Sequence, residues 1–294
     1  MLPLILLFAA EIVFTDVNKL TVEGRAWTDL AAPFDRLPAS AQKTVRPAVW
    51  SLSRHSAGMV VRFRSDATTL SARWTVTNEN LAMPHMPATG VSGLDLYVRV
   101  GSKWRWLANG RPTAKMNTMT VSGLASDTVR DYLLYLPLYN GVSSVEIGVP
   151  EGSKLEKQPS PGKPIVFYGT SIIHGACASR PGMALPAILG RRLERATVNL
   201  GFSGNGKLEP ELARLMGEID AAAYIVDCLP NCSAAEVAER TGPFVRELRK
   251  HRPHTPIVLV EDRTYANAHS LPAVAKRNAD NRAALRKVFD ELTW

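Results

Sequence analysis

Three polar loops of this sequence carry the residue types that acyl transfer needs. Ser171 lies in the first loop, Gly204 in a glycine-rich second loop, and Asn231 in the third. A serine hydroxyl can attack an ester carbon, while a backbone N–H at a glycine and a carboxamide N–H can stabilise the resulting oxyanion. The three residues therefore predict a serine-hydrolase site in which Ser171 is the nucleophile.

Each of these loops follows a short apolar run, and the runs alternate with longer segments of helical period. The predicted strands lie near Ile165 to Tyr168, Thr197 to Leu200, Ala223 to Asp227 and Ile257 to Val260. The predicted helices lie near Met183 to Arg195, Leu208 to Ile219, Ala234 to His251 and Ala273 to Leu292, with Thr241-Gly242-Pro243 breaking or restarting the third. This alternation predicts a parallel sheet with helices on both faces. Ligands bind beyond the carboxyl ends of such strands, so we expect the three loops to converge.

The first half of the chain has a different period. From Met59 to Val149 apolar residues alternate with polar ones, which predicts an all-β sandwich or jelly roll. Asn140-Gly141 predicts a tight hairpin between the strands on either side of it. We therefore divide the chain into a candidate signal segment (1–20), a β-sandwich (21–149), a linker rich in Pro and Gly (150–164) and an α/β hydrolase domain (165–294).

The strings YGTSIIHGACASRPGM (168–183) and YIVDCLPNCS (224–233) resemble the SGNH, or GDSL-like, hydrolase superfamily. In this resemblance Ser171 matches the nucleophile of block I, Gly204 the glycine of block II and Asn231 the asparagine of block III. The strings are similar to those of a bacterial subgroup with an N-terminal β-sandwich. The resemblance implies a flavodoxin-like three-layer α/β domain and an esterase that removes small acyl groups, often acetyl, from carbohydrate. It implies no metal or organic cofactor.

One part of the superfamily pattern is missing. Its general base comes from an Asp-x-x-His block after a fifth strand, and no Asp-x-x-His follows Asn231 in this sequence. We therefore expect the hydrolase domain to be incomplete at its C-terminus, with the acid and histidine beyond Trp294 and the chain as given nearly inert. The alternative is a carbohydrate-binding protein that keeps the hydrolase fold but has lost turnover.

Several residues have competing interpretations. Ser171 itself could cap the next helix, and His174 could form a local dyad with it, although a lining or surface role is favoured. His269 and Glu261-Asp262 follow the fourth strand and are candidates for a substrate loop, whereas Arg180 favours a structural salt bridge over an anion site.

The segment from Gly201 to Lys207 also matches the Gly-x-x-x-x-Gly-Lys part of a phosphate-binding loop. However, Leu208 stands where a Ser or Thr would bind magnesium, and Pro210 comes early in the next helix. Nucleotide binding is therefore less favoured than ester hydrolysis.

The composition indicates which binding partners and which cellular location to expect. The formal charge of +8 comes from singly scattered basic residues, which is not the clustered pattern of a nucleic-acid binder. No segment approaches the roughly 20 apolar residues of a membrane span. The apolar run from Met1 to Ala10 favours export to a secreted or periplasmic location, where Cys177 could pair with Cys228 or Cys232, although free thiols fit equally well. We expect a small acyl ester or acetylated saccharide as the substrate, and the oligomeric state is not encoded in any recognisable pattern.

Overall fold

A computed structural model of the chain describes residues 10–125 and 128–292, so most of the apolar run at the N-terminus lies outside the described residues. Ile12–Asp16, within the candidate signal segment, forms the first strand. The strands are β1 (Ile12–Asp16), β2 (Thr21–Glu23), β3 (Val60–Ser65), β4 (Thr69–Val76), β5 (Asp95–Val100), β6 (Lys103–Asn109), β7 (Met116–Ser122), β8 (Arg130–Tyr135), β9 (Val142–Pro150), β10 (Leu155–Lys157), β11 (Ile165–Gly169), β12 (Thr197–Gly201), β13 (Ala223–Asp227) and β14 (Ile257–Leu259). The helices are α1 (Pro47–Ser53), α2 (Ala88–Val91), α3 (Ser171–His174), α4 (Leu185–Leu193), α5 (Pro210–Glu218), α6 (Ala234–His251) and α7 (Pro272–Glu291).

The N-terminal domain consists of two antiparallel sheets. One has the strand order β1-β9-β4-β7, and the other has the order β10-β3-β8-β5-β6 with β2 added to β3. Alternate residues of both sheets meet in one core, which includes Trp74, Ile147, Phe63 and Leu134. This alternation is the pattern read from the sequence, and it makes the first half of the chain a β-rich domain.

The predicted hairpin at Asn140-Gly141 is wrong. β8 pairs with β3 and β5 in one sheet, whereas β9 pairs with β1 and β4 in the other. Asn140 is buried, and its carboxamide donates to the Asn78 carbonyl at 2.8 Å and accepts from the Asn78 N–H at 3.0 Å. The dipeptide therefore crosses between sheets, because side-chain hydrogen bonds to a neighbouring segment replace the turn that its local preference favours.

The second half is an α/β domain with a parallel four-stranded sheet of order β12-β11-β13-β14. Alternation along β11 sends Val166 and Tyr168 to the face covered by α5, α6 and α7, and Ile165 and Phe167 to the face covered by α3 and α4. Helices thus lie on both faces, as the sequence predicts. The jelly-roll topology and the C-terminal incompleteness stay predictions.

The predicted break at Thr241-Gly242-Pro243 is wrong, because α6 runs without interruption through Pro243. Pro243 is exposed while Gly242 and Phe244 on either side are buried, so the carbonyl that loses its partner lies on the solvent side of the helix. A capping box of Ser233 and Glu236 starts the helix. Packing of the buried face therefore outweighs the local cost of the proline.

The two domains share packing. Trp27, Leu37 and Val49, which precede β3 in the chain, are buried in the same core as α5 and α6. Trp27 Nε1 donates to Glu218 Oε2 at 2.6 Å. In the segment interpreted as a linker, β10 pairs with β3. Within the described ranges, no helix is both long and apolar enough to cross a membrane.

Candidate active site

The three candidate loops begin side by side at one edge of the sheet. Gly169 at the end of β11 is in register with Gly201 of β12 and with Asp227 of β13. Because the strands are parallel, the segments that follow them leave the sheet at the same edge. These segments carry Ser171, the glycine-rich turn and Asn231.

Glycines let these loops approach one another closely. A Cβ added to Gly206 would lie 2.0 Å from the Gly169 carbonyl oxygen, and one added to Gly201 would lie 2.1 Å from the His174 nitrogen. The Phe202 N–H donates to the Gly169 carbonyl at 2.9 Å, and the Thr170 N–H donates to the Asp227 carbonyl at 3.2 Å. Backbone hydrogen bonds therefore tie the first loop to both of the others.

Ser171 is the first residue of α3, and its side chain is half-buried. The helix is capped by the preceding residue, since Thr170 Oγ1 accepts from the Ile172 N–H. The alternative that Ser171 serves as the cap is therefore not needed to start this helix. Within residues 10–125 and 128–292, no hydrogen bond engages the Ser171 hydroxyl.

Two backbone N–H groups in the candidate segments have no acceptor. In the described part of the chain, neither the Ser171 N–H nor the Gly204 N–H forms a hydrogen bond. Gly204 has a φ of +68°, is exposed, and has nothing within 4 Å of the position a Cβ would take. Both N–H groups can therefore donate to a ligand oxygen without first breaking a protein hydrogen bond.

Asn231 joins the third loop to the second. Its side-chain Nδ2 donates to the Gly206 carbonyl at 3.3 Å, and its backbone N–H donates to Cys228. A carboxamide has two N–H groups, so one remains for a ligand. That Ser171, Gly204 and Asn231 aim at a single bound atom stays a prediction.

A buried polar network holds the short 3-10 turn of Leu229–Asn231 against α7. Arg277 donates to the carbonyls of Pro230 and Cys232 at 2.9 and 3.1 Å, and Asn281 donates to those of Leu229 and Cys232. Asp262 accepts from both side chains. Asp262, one of the candidate substrate-loop residues, therefore makes structural hydrogen bonds that position the Asn231 turn.

His174 lies three residues after Ser171, but its ring makes structural contacts. It is fully buried, its Nε2 is 2.7 Å from the Leu138 carbonyl, and its ring stacks on Tyr139 with centroids 4.1 Å apart. Burial holds the pKa of His174 well below its usual value, and the nearby Arg36 and His55 lower it further. This neutral imidazole donates to a carbonyl, which is a structural role.

The remaining histidines named here do not hydrogen bond to Ser171 either. His251 and His254 are exposed near the start of β14, and Nδ1 of the exposed His269 donates to the Ala266 carbonyl at 2.8 Å. None of the six histidines, all of which the structure describes, hydrogen bonds to Ser171. That Ser171 is a nucleophile stays a prediction, and within the described residues no histidine is hydrogen bonded to it as a proton acceptor.

Arg180 forms the salt bridge that the sequence favours. Its Nε lies 3.2 Å from Oδ2 of Asp95, a fully buried carboxylate from the N-terminal domain. Asp95 also accepts from the Gly182 N–H and from Trp106 Nε1. Burial raises the pKa of Asp95 to about 6, with Arg180 opposing this. Asp95 therefore connects the N-terminal domain to the segment that follows α3. Sequence reasoning missed this role, although Asp95 lies in the compact motif Gly93-Leu94-Asp95-Leu96-Tyr97.

Arg36 is a second residue that sequence reasoning missed. Its buried guanidinium donates to the carbonyls of Asn199 and Gly201 at 3.1 and 2.7 Å, and also to those of Leu52 and His55. Burial lowers the pKa of Arg36 to about 9. No local pattern marks an arginine that binds two carbonyls more than 160 positions away in the chain, so only the folded structure shows that it holds the end of β12.

The contacts of Lys207 disfavour the alternative that residues 201–207 form a phosphate-binding loop. The Lys207 N–H donates to Glu209 Oε2 at 2.8 Å, and Arg46 pairs with the same carboxylate. A carboxylate of the protein thus already occupies a donor that a nucleotide phosphate would need.

All three cysteines are free, with Cys177 exposed and Cys228 and Cys232 buried, so the suggested bridge is not formed.

Fold and site together define a class of protein: an SGNH-type hydrolase domain, built as a parallel sheet between helices, behind a β-rich N-terminal domain. The model of the N-terminus of SGNH-hydrolase-type esterases, called GxDLY, matches residues 12–155, and that of the GDSL-like lipase/acylhydrolase family matches residues 162–294. The crystal structure of a protein from Bacteroides ovatus described as a GDSL-like lipase is 34% identical, with a TM-score of 0.90, over 96% of this chain and 83% of that one. The chain belongs to the GDSL-like lipase/acylhydrolase family.

Two more distant structures share the fold. The salicylyl-acyltransferase SsfX3 from a tetracycline biosynthetic pathway is 23% identical with a TM-score of 0.77, and the match covers 96% of this chain and 81% of that one. A family two carbohydrate esterase from Cellvibrio japonicus is 14% identical with a TM-score of 0.59, over 96% and 84% of the two chains. No curated protein sequence matches this chain.

Proposed function

We propose that this protein is a serine esterase that removes small acyl groups, acetyl above all, from carbohydrate. The observation that carries the proposal is the pair of unpaired N–H groups at Ser171 and Gly204, next to an Asn231 carboxamide tied to the same glycine-rich loop. Donors that are fixed before the reaction are what an oxyanion hole requires. Membership of the family and the carbohydrate esterase from Cellvibrio japonicus with the same fold support the substrate class.

In the proposed mechanism the Ser171 oxygen attacks the ester carbonyl carbon while a base takes its proton. The tetrahedral oxyanion is held by the amides of Ser171 and Gly204 and by the Asn231 side chain. The carbon–oxygen bond to the sugar breaks, and the sugar oxygen takes the proton from the protonated base. Water then attacks the acyl-Ser171 ester in the same way and releases the acid. The resemblance assigns the role of base to an Asp-x-x-His histidine, and the proposal uses no metal or organic cofactor.

The test uses the protein expressed from its natural gene to the natural stop codon. Ser171→Ala should lower kcat for acetate release from an acetylated pyranoside by at least about 10⁴-fold, because the covalent step is lost. The control is Ser179→Ala, an exposed serine nearby in the same segment, which should leave kcat unchanged. Equal rates for Ser171→Ala and the parent would refute the assignment of the nucleophile.

A second candidate function, binding of the ester without turnover, is favoured by the contacts of the histidines. Since none of them hydrogen bonds to Ser171, the same site could bind an acylated saccharide without turning it over. Saturable binding of the acetylated pyranoside, together with no acetate release above that of Ser171→Ala, would select this candidate.

We also propose that the protein acts outside the cytoplasm. Fractionation of cells that produce the protein tests this location.

A further inference from the structure

A cavity of about 510 Å³ lies between the two domains beside the candidate nucleophile. The glycine-rich loop contributes Ser203 and Asn205 to it, and the N-terminal domain contributes most of the remaining wall. Tyr139 lines the cavity, and its hydroxyl donates to the Ser171 carbonyl oxygen at 3.5 Å. The cavity, here called the interdomain pocket, is therefore linked to Ser171 through one lining side chain.

The lining of the interdomain pocket is polar but uncharged. Carboxamides of Asn78, Asn80 and Asn205 and the hydroxyls of serine and tyrosine alternate with aliphatic side chains. Among the described residues that line it there is no Asp, Glu, Lys or Arg. Burial lowers the pKa of His55, the one titratable imidazole in the wall, to about 4, so it is neutral at pH 7.

One of these side chains has free capacity for a ligand. The Asn80 side chain is exposed and forms no hydrogen bond with the described residues, although its backbone N–H is bound by Asn78. Its carboxamide can therefore both donate to and accept from a ligand hydroxyl. The Nδ1 atom of His55 also has no partner in the described structure, but it is enclosed by protein atoms.

We propose that the interdomain pocket binds the alcohol half of the ester, and that this half is a neutral sugar unit. The proposal rests on the esterase function proposed above and deepens it. Neutral amides and hydroxyls can pair with sugar hydroxyls, while the aliphatic patches cover C–H faces. A lipid chain would leave the amides unpaired. A uronate would lose its hydration without gaining a free counter-charge, because Arg46, which donates to the Asn205 side chain, is already paired with Glu209.

The first experiment measures binding without turnover. In the Ser171→Ala protein, calorimetry with a mono-acetylated neutral pyranoside should show that Ala82→Trp, which fills the pocket, raises Kd at least about tenfold, and that Asn80→Ala raises it about threefold to tenfold. Glu79→Trp and Glu79→Ala are matched controls, because Glu79 is exposed on the same loop outside the pocket lining. They should leave Kd unchanged. The corresponding acetylated uronide should bind the parent at least about tenfold more weakly.

The second experiment separates this inference from the function on which it rests. Hydrolysis of 4-nitrophenyl acetate, which lacks the sugar, should depend on Ser171 and be unaffected by Glu79→Trp and Glu79→Ala, which lie outside the pocket lining. If Ser171-dependent hydrolysis occurs but Ala82→Trp binds the pyranoside as the parent does, or the uronide binds as well as the neutral sugar, the pocket assignment is overturned. If the pyranoside binds as expected but no ester is cleaved in a Ser171-dependent way, the proposed function fails and the pocket assignment stands.

Discussion

At the scale of single residues, the glycines of the site matter for the space they leave. Gly206 fits only because no Cβ meets the Gly169 carbonyl, and Gly204 leaves an open position next to its free amide. That Ser171, Gly204 and Asn231 form one site stays a prediction. The segments that carry them could be placed at one sheet edge, because residue type and chain order are visible in the sequence. The orientation of their donors is not, because it depends on hydrogen bonds between loops.

His174 gives a prediction for the pH dependence of stability. Its pKa is lowered in the folded protein, so the unfolded chain binds a proton more readily below the ordinary value of about 6.5. The stability is therefore fully present above pH 6.5 and is lost as the pH falls. His174→Gln keeps a donor for Leu138 but does not titrate, so the free energy of unfolding of the parent should fall relative to this variant by about 1 kcal/mol per pH unit below pH 6.5.

Urea unfolding at pH 5.0, 6.0 and 7.5 measures this difference. His55 titrates in the same direction and Asp95 in the opposite one, but both are present in parent and variant. The difference between the two proteins therefore isolates His174. Parallel pH profiles would show that the pKa of the ring is the same in the folded and unfolded protein, which would contradict the prediction.

At the scale of elements, the α/β half was the more predictable. Each strand there is a short apolar run between turn residues, and helix α6 has the bounds that its capping box and period predict. The two errors, the hairpin at Asn140 and the break at Pro243, share a cause. Local preference was overruled by contacts to segments distant in the chain, which periodicity does not contain.

Helix α7 is expected to position Asn231 through its buried face. Asn281→Ala removes the donors to the Leu229 and Cys232 carbonyls, which should cost about 1 to 3 kcal/mol of unfolding free energy and lower kcat about tenfold with little change in KM. Lys276→Ala, on the same helix but exposed, is the control and should change stability by less than about 0.5 kcal/mol. A loss of stability with kcat intact would show that the network supports only the fold.

At the scale of the whole molecule, the N-terminal domain is part of the hydrolase. Trp27 and Val49 lie in the core of the α/β domain, and the interdomain pocket takes walls from both halves. The domain order and the presence of a β-rich domain could be read from the sequence. The contribution of that domain to the site could not, because Arg36, His55 and Tyr139 carry no local motif and gain their roles only through distant contacts.

Arg36 tests this coupling between domains. Arg36→Lys keeps the charge but cannot reach four carbonyls at once, so the free energy of unfolding should fall by about 2 to 4 kcal/mol and kcat should fall with it. Arg64→Lys, at a partly exposed surface ion pair, should change stability by less than about 0.5 kcal/mol. Calorimetry should show both domains unfolding in one transition in the parent. Two separate transitions in the parent would mean that the shared core does not couple them.

The most direct measurement of the central claim is the site of covalent modification. The protein expressed to its natural stop codon is treated with a fluorophosphonate, whose phosphorus mimics the attacked carbonyl carbon, and its peptides are mapped by mass spectrometry. The account predicts one adduct, on Ser171, that is absent in Ser171→Ala and unaffected in Ser179→Ala. Ester hydrolysis with the adduct on another residue, or with no adduct at all, would contradict it.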